Sequence, residues 1–465
     1  MLCVLFRTRF SLAQFLPCSL LLSSLLLCPF FLRTDVYARE ADSATPPKTT
    51  QQAARQPTAL QQYVQTADDS YGWKIRGRQS QNGCTLLDVA LTSQTWQGIA
   101  WRHTLSLFVP DNVRHKQTVL LYITGGSIGS QPSAGDLAMG VRLAKLAQTP
   151  CAFLHQVPNQ PLLGDRTEDD LISETFLRYL KSKDKTWPLL FPMVKSAVRA
   201  MDAVGEIAEQ KYETRIERFV VAGGSKRGWT TWLTAVADPR VAGIAPIVID
   251  TLNMRKQMAH QLDSWGEYSE QIADYTSKGL VEVMQRHPEI PLWRWVDPYT
   301  YRAQLKLPKL LIVGTNDRYW VLDALNLYWN DLVGPKHVLY VPNAGHGLGK
   351  GKQAALTTLA VFTQHVALGQ PLPKLTWKHD DDGRRLRLTV RSNSTPQAMR
   401  LWSAKADTKD FRSSQWTASQ MTATSGGAYV AIVDRPKSGH VAFYAEATYE
   451  YGPISYGLST QLRDE

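Results

Sequence analysis

The sequence predicts an α/β protein whose parallel sheet is covered on both faces, followed by a smaller all-β region. Three observations lead there. Uninterrupted apolar runs recur at Thr118–Ile123, 152–157, 218–222, 244–249, 309–313 and 338–341, each separated from the next by loop and helix patterns. Strands buried on both faces lose the polar alternation of a half-exposed sheet, and helical crossovers provide the second cover. Val194, Ala197, Val198, Met201, Val204 and Ala208 recur at helical spacing just before the 218–222 run. After Pro373 the character changes to short alternating strands, at 375–377, 386–390, 400–402, 428–433 and 441–445. Turn residues lie between them, the pattern of a small β-sandwich.

Taken in order, the chain opens with Arg7 and Arg9, an apolar stretch over 15–32, and Val36-Tyr37-Ala38 before Arg39. That is the layout of a secretory signal peptide over 1–38; an uncleaved anchor is the competing reading. Residues 39–59 are polar, with Pro and Gln, and read as a flexible lead-in. The folded body is expected over 60–372, entered by antiparallel strands such as 104–109. About sixty residues separate the 244–249 and 309–313 runs. They carry Met254, Met258, Leu262, Trp265, Tyr268 and Ile272 three or four apart. This is too long for a crossover, so a helical insertion over about 250–305 is expected to overhang the sheet's carboxyl edge. The β-sandwich is expected over 373–465.

The 465 residues carry a formal charge of +11. Cleavage after Ala38 removes Arg7, Arg9, Arg33 and Asp35, a net of +2, and takes the charge from +11 to +9. The basic residues are scattered rather than clustered, which argues against nucleic-acid binding and fits an exported basic protein with weak attraction to an anionic envelope surface. Cys84 and Cys151 are the two cysteines beyond the leader. One disulfide in an oxidising compartment is open to them, but sequence does not establish that they meet. No spacing of Cys or His suggests a metal, and no cofactor is expected.

The stretch that carries chemistry is 220–229, VVAGGSKRGW. Ser225 follows a buried strand and opens a helical segment, so its hydroxyl leaves the carboxyl edge of the sheet, where open α/β folds bind ligands. Gly223 at minus two suits a strained turn. The usual nucleophile elbow is Gly-x-Ser-x-Gly; here Arg227 stands at plus two and the glycine comes at plus three, Gly228. The order Ser, acid, His required of an α/β-hydrolase is met by Asp317, after the 309–313 run in GTND, and His346, after the 338–341 run in PNAGHG. The serine needs His346 as base, and His346 needs Asp317 to hold its tautomer. Asp250, also after a strand, and Asp323 are rivals for the acid. His155 reads as a strand residue and His260 as part of the insertion. An oxyanion hole is expected from the N–H of Lys226 and from Gly125 or Gly126 in ITGGS.

Glu168-Asp169-Asp170 follow another strand at the same edge. They read either as a site for a cationic group, such as a peptide amino terminus, or as the first turn of a helix capped by Thr167. Glu168, Asp169, Trp229, Tyr319 and Trp320 are expected to line the substrate site. Insertion aromatics such as Trp265, Tyr268, Trp293 and Trp295 either join them or pack in the core.

With these residues assembled, the chain resembles the PhoPQ-activated pathogenicity-related protein family over roughly 60 to 460. The resemblance is carried by SQTWQG (93–98), the stretch 168–204, GGSKRGWTTWLTA (223–235), HQLDSWGEYSEQIADYT (260–276), GTND (314–317) and PNAGHG (342–347). It implies an exported α/β-hydrolase-like domain followed by a β-sandwich, and a role in bacterial resistance to host cationic peptides, which does not identify a reaction. Other members often carry a Glu-Phe-Phe-like run after the Asp, where this chain has Arg318-Tyr319-Trp320. The Gly-Gly-Ser-Lys-Arg-Gly run also looks like the Gly-Cys-Ser-Arg-x-Gly elbow of glucuronoyl esterases, with Lys226 matching the Arg.

The reading is therefore an exported, periplasmic or secreted, serine hydrolase acting on an ester or peptide bond through Ser225, His346 and Asp317. The rivals are a non-catalytic envelope binding or signalling protein on the same scaffold, and a protein that sequesters ligands through its C-terminal sandwich.

Overall fold

The structure is a computed structural model and describes residues 57–465. The expected signal peptide and most of the expected lead-in lie outside the described residues. Helix α1 (Ala59–Gln65) opens the described chain, its N-terminus closed by a Thr58–Gln61 capping box. Strands β1 (Gly72–Gln81), β2 (Cys84–Trp96) and β3 (Ile99–Pro110) form an antiparallel meander. Then follow β4 (Thr118–Ile123), α2 (Ala134–Ala147), β5 (Cys151–Leu154), α3 (Glu168–Ser182), α4 (Leu190–Tyr212), β6 (Arg218–Gly224), α5 (Lys226–Ala237) and β7 (Val241–Ile247). The insertion contributes α6 (Met254–Trp265), α7 (Ala273–Thr276), α8 (Leu280–Arg286) and α9 (Pro291–Val296), before β8 (Lys309–Gly314), β9 (Lys336–Val341) and α10 (Lys352–Leu368).

The sheet order is β1-β2-β3-β5-β4-β6-β7-β8-β9. The strands from β5 to β9 in that order are parallel, and β3 meets β5 antiparallel. The parallel strands alternate between two cores. Val119, Leu121 and Ile123 of β4 face the core shared with α4 and α5; Leu120 faces the one shared with α2 and α10. Phe219 and Val221 of β6 divide from Val220 and Ala222 in the same way. Both faces being buried is the physical reason for the continuous apolar runs. The chain winds from β4 to β5 on one side and then to β6 on the other. The carboxyl ends of β4 and β6 thus flank a topological switch point, where the crevice of such a sheet opens.

The C-terminal region has two antiparallel sheets. One joins β10 (Leu375–Asp381), β11 (Arg385–Ser392) and β14 (Tyr429–Asp434). The other joins β12 (Ala398–Ala406), β13 (Thr417–Gln420), β15 (His440–Tyr451), β16 (Ile454–Ser459) and β17 (Arg463–Asp464). Leu386, Leu388 and Val390 point into the space between them and pack with Phe443 and Ala445, while Arg385 and Arg387 point out, the alternation of a sandwich strand. This second sheet is continuous with the first. Ser459 of β16 pairs with Val338 of β9, and its hydroxyl accepts from the N–H of Tyr340. The protein therefore has the α/β-hydrolase fold with a helical insertion and a C-terminal β-sandwich, within one compact unit.

Cys84 and Cys151 sit at the starts of β2 and β5, buried in the same core, and both are free thiols. Burial pushes the Cys84 thiol up to about 11 and raises that of Cys151.

Candidate active site

Ser225 sits between β6 and α5 at φ 56°, ψ −129°. This is a sparsely populated conformation for a residue with a side chain, of the kind that persists only when the surroundings over-determine it. The N–H of Ser225 donates to the Ile247 carbonyl at 2.8 Å, and its own carbonyl accepts from Trp229 at 3.0 Å. The turn closes on itself: a Cβ on Gly223 would lie 2.7 Å from the Arg227 carbonyl oxygen, and one on Gly228 would lie 2.8 Å from the Gly223 carbonyl oxygen. The glycine at plus three is thus a requirement of this turn. The residue at plus two is free to be arginine because its side chain runs sideways. Arg227 Nε donates to the Val157 carbonyl at 2.6 Å, and its two terminal nitrogens donate to both Glu168 oxygens at 2.8 and 2.7 Å.

Asp317 and His346 meet. His346 Nδ1 donates to Asp317 Oδ2 at 2.8 Å, and the Tyr319 N–H donates to Asp317 Oδ1 at 2.9 Å. In the neutral ring that bond places the proton on Nδ1 and the lone pair on Nε2. His346 Nε2 is buried and has no hydrogen-bond partner among the described residues. The Tyr319 ring stacks on His346, centroids 4.2 Å apart and planes at 30°. No hydrogen bond joins Ser225 to His346, but both line one cavity that opens to solvent.

The rivals for the acid are engaged elsewhere. Asp323 bonds His260 of α6. Asp250 is 2% exposed and accepts from the Tyr328 hydroxyl at 2.5 Å. Burial, with the charges of Asp317 and Asp323 acting the same way, pushes the Asp250 carboxyl up to about 7. His155 follows β5 and is buried, which pushes its imidazole down to about 4.

The acidic cluster is internally neutralised, and of its two readings the site for a cationic group therefore meets carboxylates that are already paired. Lys226 Nζ lies 2.8 Å from Glu168 and 3.0 Å from Asp169, Arg227 holds Glu168, and Lys278 pairs with Asp170. Burial alone would raise the Glu168 carboxyl, but the hydrogen bond and charge of Arg227, with Lys226, hold it down at about 2. The helix-start reading holds for position, yet Thr167 makes no side-chain cap, and Glu168 adopts φ 52° with its side chain turned to the cations. Asp169 lines the cavity and accepts from the Tyr275 hydroxyl at 2.9 Å. Glu168 does not line it.

Of the other expected residues, Lys226, Trp229, Tyr319 and Trp320 line the cavity. The Lys226 N–H is in the first turn of α5, where backbone donors lack intrahelical acceptors. Gly125 and Gly126 follow β4 but are not among the lining residues; the Arg227 guanidinium packs where a Gly125 side chain would be. Trp293 lines the cavity, whereas Trp265 lies under the Arg412 guanidinium.

Sequence reasoning missed the part played by the segment 411–416 of the sandwich. Asn316 Nδ2 donates to the Ser414 carbonyl at 2.7 Å. Asn343 Nδ2 donates to the Trp416 carbonyl at 2.9 Å, and the Trp416 N–H returns to Asn343 Oδ1 at 2.7 Å. The loops bearing Asp317 and His346 are thus both strapped to the C-terminal region. Arg412 adds a bond to Glu270 of the insertion at 3.1 Å. Asparagines in GTND and PNAGHG are the available signal, since a side-chain amide can pair with backbone as another backbone would.

The profile of the PhoPQ-activated pathogenicity-related protein family matches residues 60–412. The chain is 32% identical over 433 residues to Autocrine proliferation repressor protein A of Dictyostelium discoideum, across 86% of this chain and 87% of that one. Among solved structures it is similar to acetyl xylan esterase 1 from Thermoanaerobacterium sp. JW/SL YS485, with a TM-score of 0.48 and 14% identity over 66% of this chain and 94% of that one. It is also similar to an S-formylglutathione hydrolase from Agrobacterium tumefaciens, with a TM-score of 0.42 and 14% identity over 63% and 99%.

Two outcomes follow from this geometry. Asn343→Ala removes a two-way pairing with buried backbone, so it lowers stability by about 1–3 kcal/mol and raises hydrogen exchange over 343–348, read by mass spectrometry. Asp250 has a raised carboxyl when folded, so its contribution is complete below the unfolded value of about 3.9 and is lost as pH rises through about 7. Asp250→Asn does not titrate. Its stability relative to the unsubstituted protein therefore improves by about 3 kcal/mol between pH 5 and pH 8 in urea denaturation; an unchanged difference contradicts the assignment.

Proposed function

The chain belongs to the family of PhoPQ-activated pathogenicity-related proteins, and we propose that this member is an exported serine hydrolase that cleaves an ester through Ser225, His346 and Asp317. The observation that carries the reading is the pairing of His346 Nδ1 with Asp317, with Nε2 left buried and unpartnered beside the cavity that Ser225 lines. A buried acceptor without a donor is costly unless something fills it; the Ser225 hydroxyl and then the hydrolytic water are the donors this reading supplies.

Nε2 takes the proton as Ser225 Oγ attacks the carbonyl carbon, and Asp317 stabilises the imidazolium. The developing oxyanion meets the Lys226 N–H at the start of α5, where the helix dipole also favours negative charge. This reading takes its second donor from the Gly125–Gly126 turn after the neighbouring β4, which lies at the same sheet edge but does not line the cavity in this structure. His346 returns the proton to the leaving oxygen, the acyl group stays on Ser225, and water, deprotonated by the same Nε2, releases it. The absence of a Ser225–His346 hydrogen bond is compatible with this, because catalytic bonds tighten when substrate binds. Export rests on the leader read in residues 1–38. Weak association with an anionic envelope is proposed from the basic charge, and resistance to host cationic peptides from what the family resemblance implies.

A second reading is a binding or signalling protein on the same scaffold. Two points favour it: the unjoined Ser225–His346 pair, and a relative whose name describes repression of proliferation rather than a reaction.

A fluorophosphonate probe on the purified mature protein separates the two. The hydrolase reading expects stoichiometric labelling, none in Ser225→Ala, and a rate lowered about 100-fold or more in His346→Ala. A folded protein that does not label moves the binding reading to the front.

A further inference from the structure

We propose that the cavity beside Ser225 is built for a flexible hydrocarbon chain, so that the substrates of this site are esters of apolar acyl groups rather than acetylated sugars or cationic peptides. The reaction rests on the hydrolase reading above; the specificity rests on the cavity wall.

The wall is apolar and comes from five helices: Phe176 of α3, Trp229 of α5, Met258 of α6, Leu280 and Met284 of α8, and Trp293 of α9. All six are between 1% and 7% exposed. The two indoles turn their polar edges away from the cavity. Trp229 Nε1 donates to the Val296 carbonyl at 2.6 Å and Trp293 Nε1 to the His287 carbonyl at 3.1 Å. The wall therefore presents ring and methylene surface. Met254 joins Met258 and Met284 on it, and three unbranched thioether side chains let the wall adjust to a mobile guest.

The polar lining is of two kinds. Ser225 and His346 belong to the reaction. Asp169 and Lys226 neutralise each other at 3.0 Å, and the Tyr275 hydroxyl is spent on Asp169. Beyond these, Thr251 and the unpartnered Trp320 Nε1 are the groups with polar atoms to offer, together with the Tyr319 hydroxyl. A sugar ring or peptide backbone brings more donors and acceptors than these can satisfy, and each one left buried and unpaired opposes binding. An ammonium group finds Asp169 already paired. An alkyl chain gains from every methylene it removes from water, about threefold to fourfold each.

The test separates cavity from catalysis. Nile red bound to Ser225→Ala is displaced by 1-butanol, 1-hexanol and 1-octanol, and the unsubstituted protein is assayed on p-nitrophenyl acetate and octanoate. The proposal expects displacement to strengthen about tenfold for every two methylenes. It expects kcat/KM for octanoate to exceed that for acetate at least tenfold. Met284→Gln and Leu280→Trp, each checked by its melting curve, are expected to weaken octanol at least fivefold; the second keeps the test alive if the first does not fold. Chain-length-independent displacement from folded Ser225→Ala, or a preference for acetate, overturns the proposal while leaving the hydrolase reading intact. Length-dependent displacement without hydrolysis of either ester retains the chain-binding cavity and overturns its use in catalysis.

Discussion

The Arg227 guanidinium joins pieces of chain that are far apart in sequence, and the geometry of the site depends on it. It leaves the first turn of α5, caps the Val157 carbonyl beyond β5, grips both oxygens of Glu168 at the start of α3, and packs against Gly125 after β4. Its side chain is 11% exposed, so the charge is largely out of water. A buried guanidinium is tolerable when its donors are matched by a fixed carboxylate in two-toothed geometry. Glu168 supplies that at the expense of a backbone with φ 52°. Lys226 completes the arrangement by meeting Glu168 and Asp169 together. Ser225 and Glu168 both hold positive φ, and Lys226, Arg227, Glu168 and Asp169 form a neutral four-charge cluster whose cations directly follow the serine in the chain. The cluster orients the turn that carries the serine rather than recruiting a ligand.

The second constraint comes from the far end of the chain. The loops that present Asp317 and His346 leave β8 and β9, the last parallel strands, and β9 has the sandwich strand β16 as its outer neighbour. Without that strand the sheet edge would lie open. Without Ser414 and Trp416, Asn316 and Asn343 would lose their backbone partners. The sandwich therefore contributes to the placement of Asp317 and His346.

Much of this was legible in the residues because local pattern reports local burial. The apolar runs of β4, β6 and β8 predict those strands because both faces are covered, and the glycine- and asparagine-bearing loops after β8 and β9 mark where side chains leave the sheet edge. The insertion is legible from its length and from the spacing of Met254, Met258 and Leu262. The remainder depends on partners that no periodicity encodes. Strand β13 has four exposed residues and no alternation to read. The attachment of β16 to β9 joins positions more than a hundred residues apart. The acidic run 168–170 is legible as a helix start, but its pairing with Lys226, Arg227 and Lys278 is a tertiary fact that the run itself does not encode. The stacking of Tyr319 on His346 is likewise a tertiary contact, carried by a residue whose local sequence marks it only as near the aspartate.

The central claim is that Ser225 carries the acyl group during turnover. Intact-mass and peptide mapping of the protein quenched in acid during reaction with p-nitrophenyl octanoate tests it directly. The account predicts an octanoyl increment confined to the peptide containing Ser225 and absent in Ser225→Ala. Hydrolysis with no adduct there, or with the adduct on another residue, would contradict it.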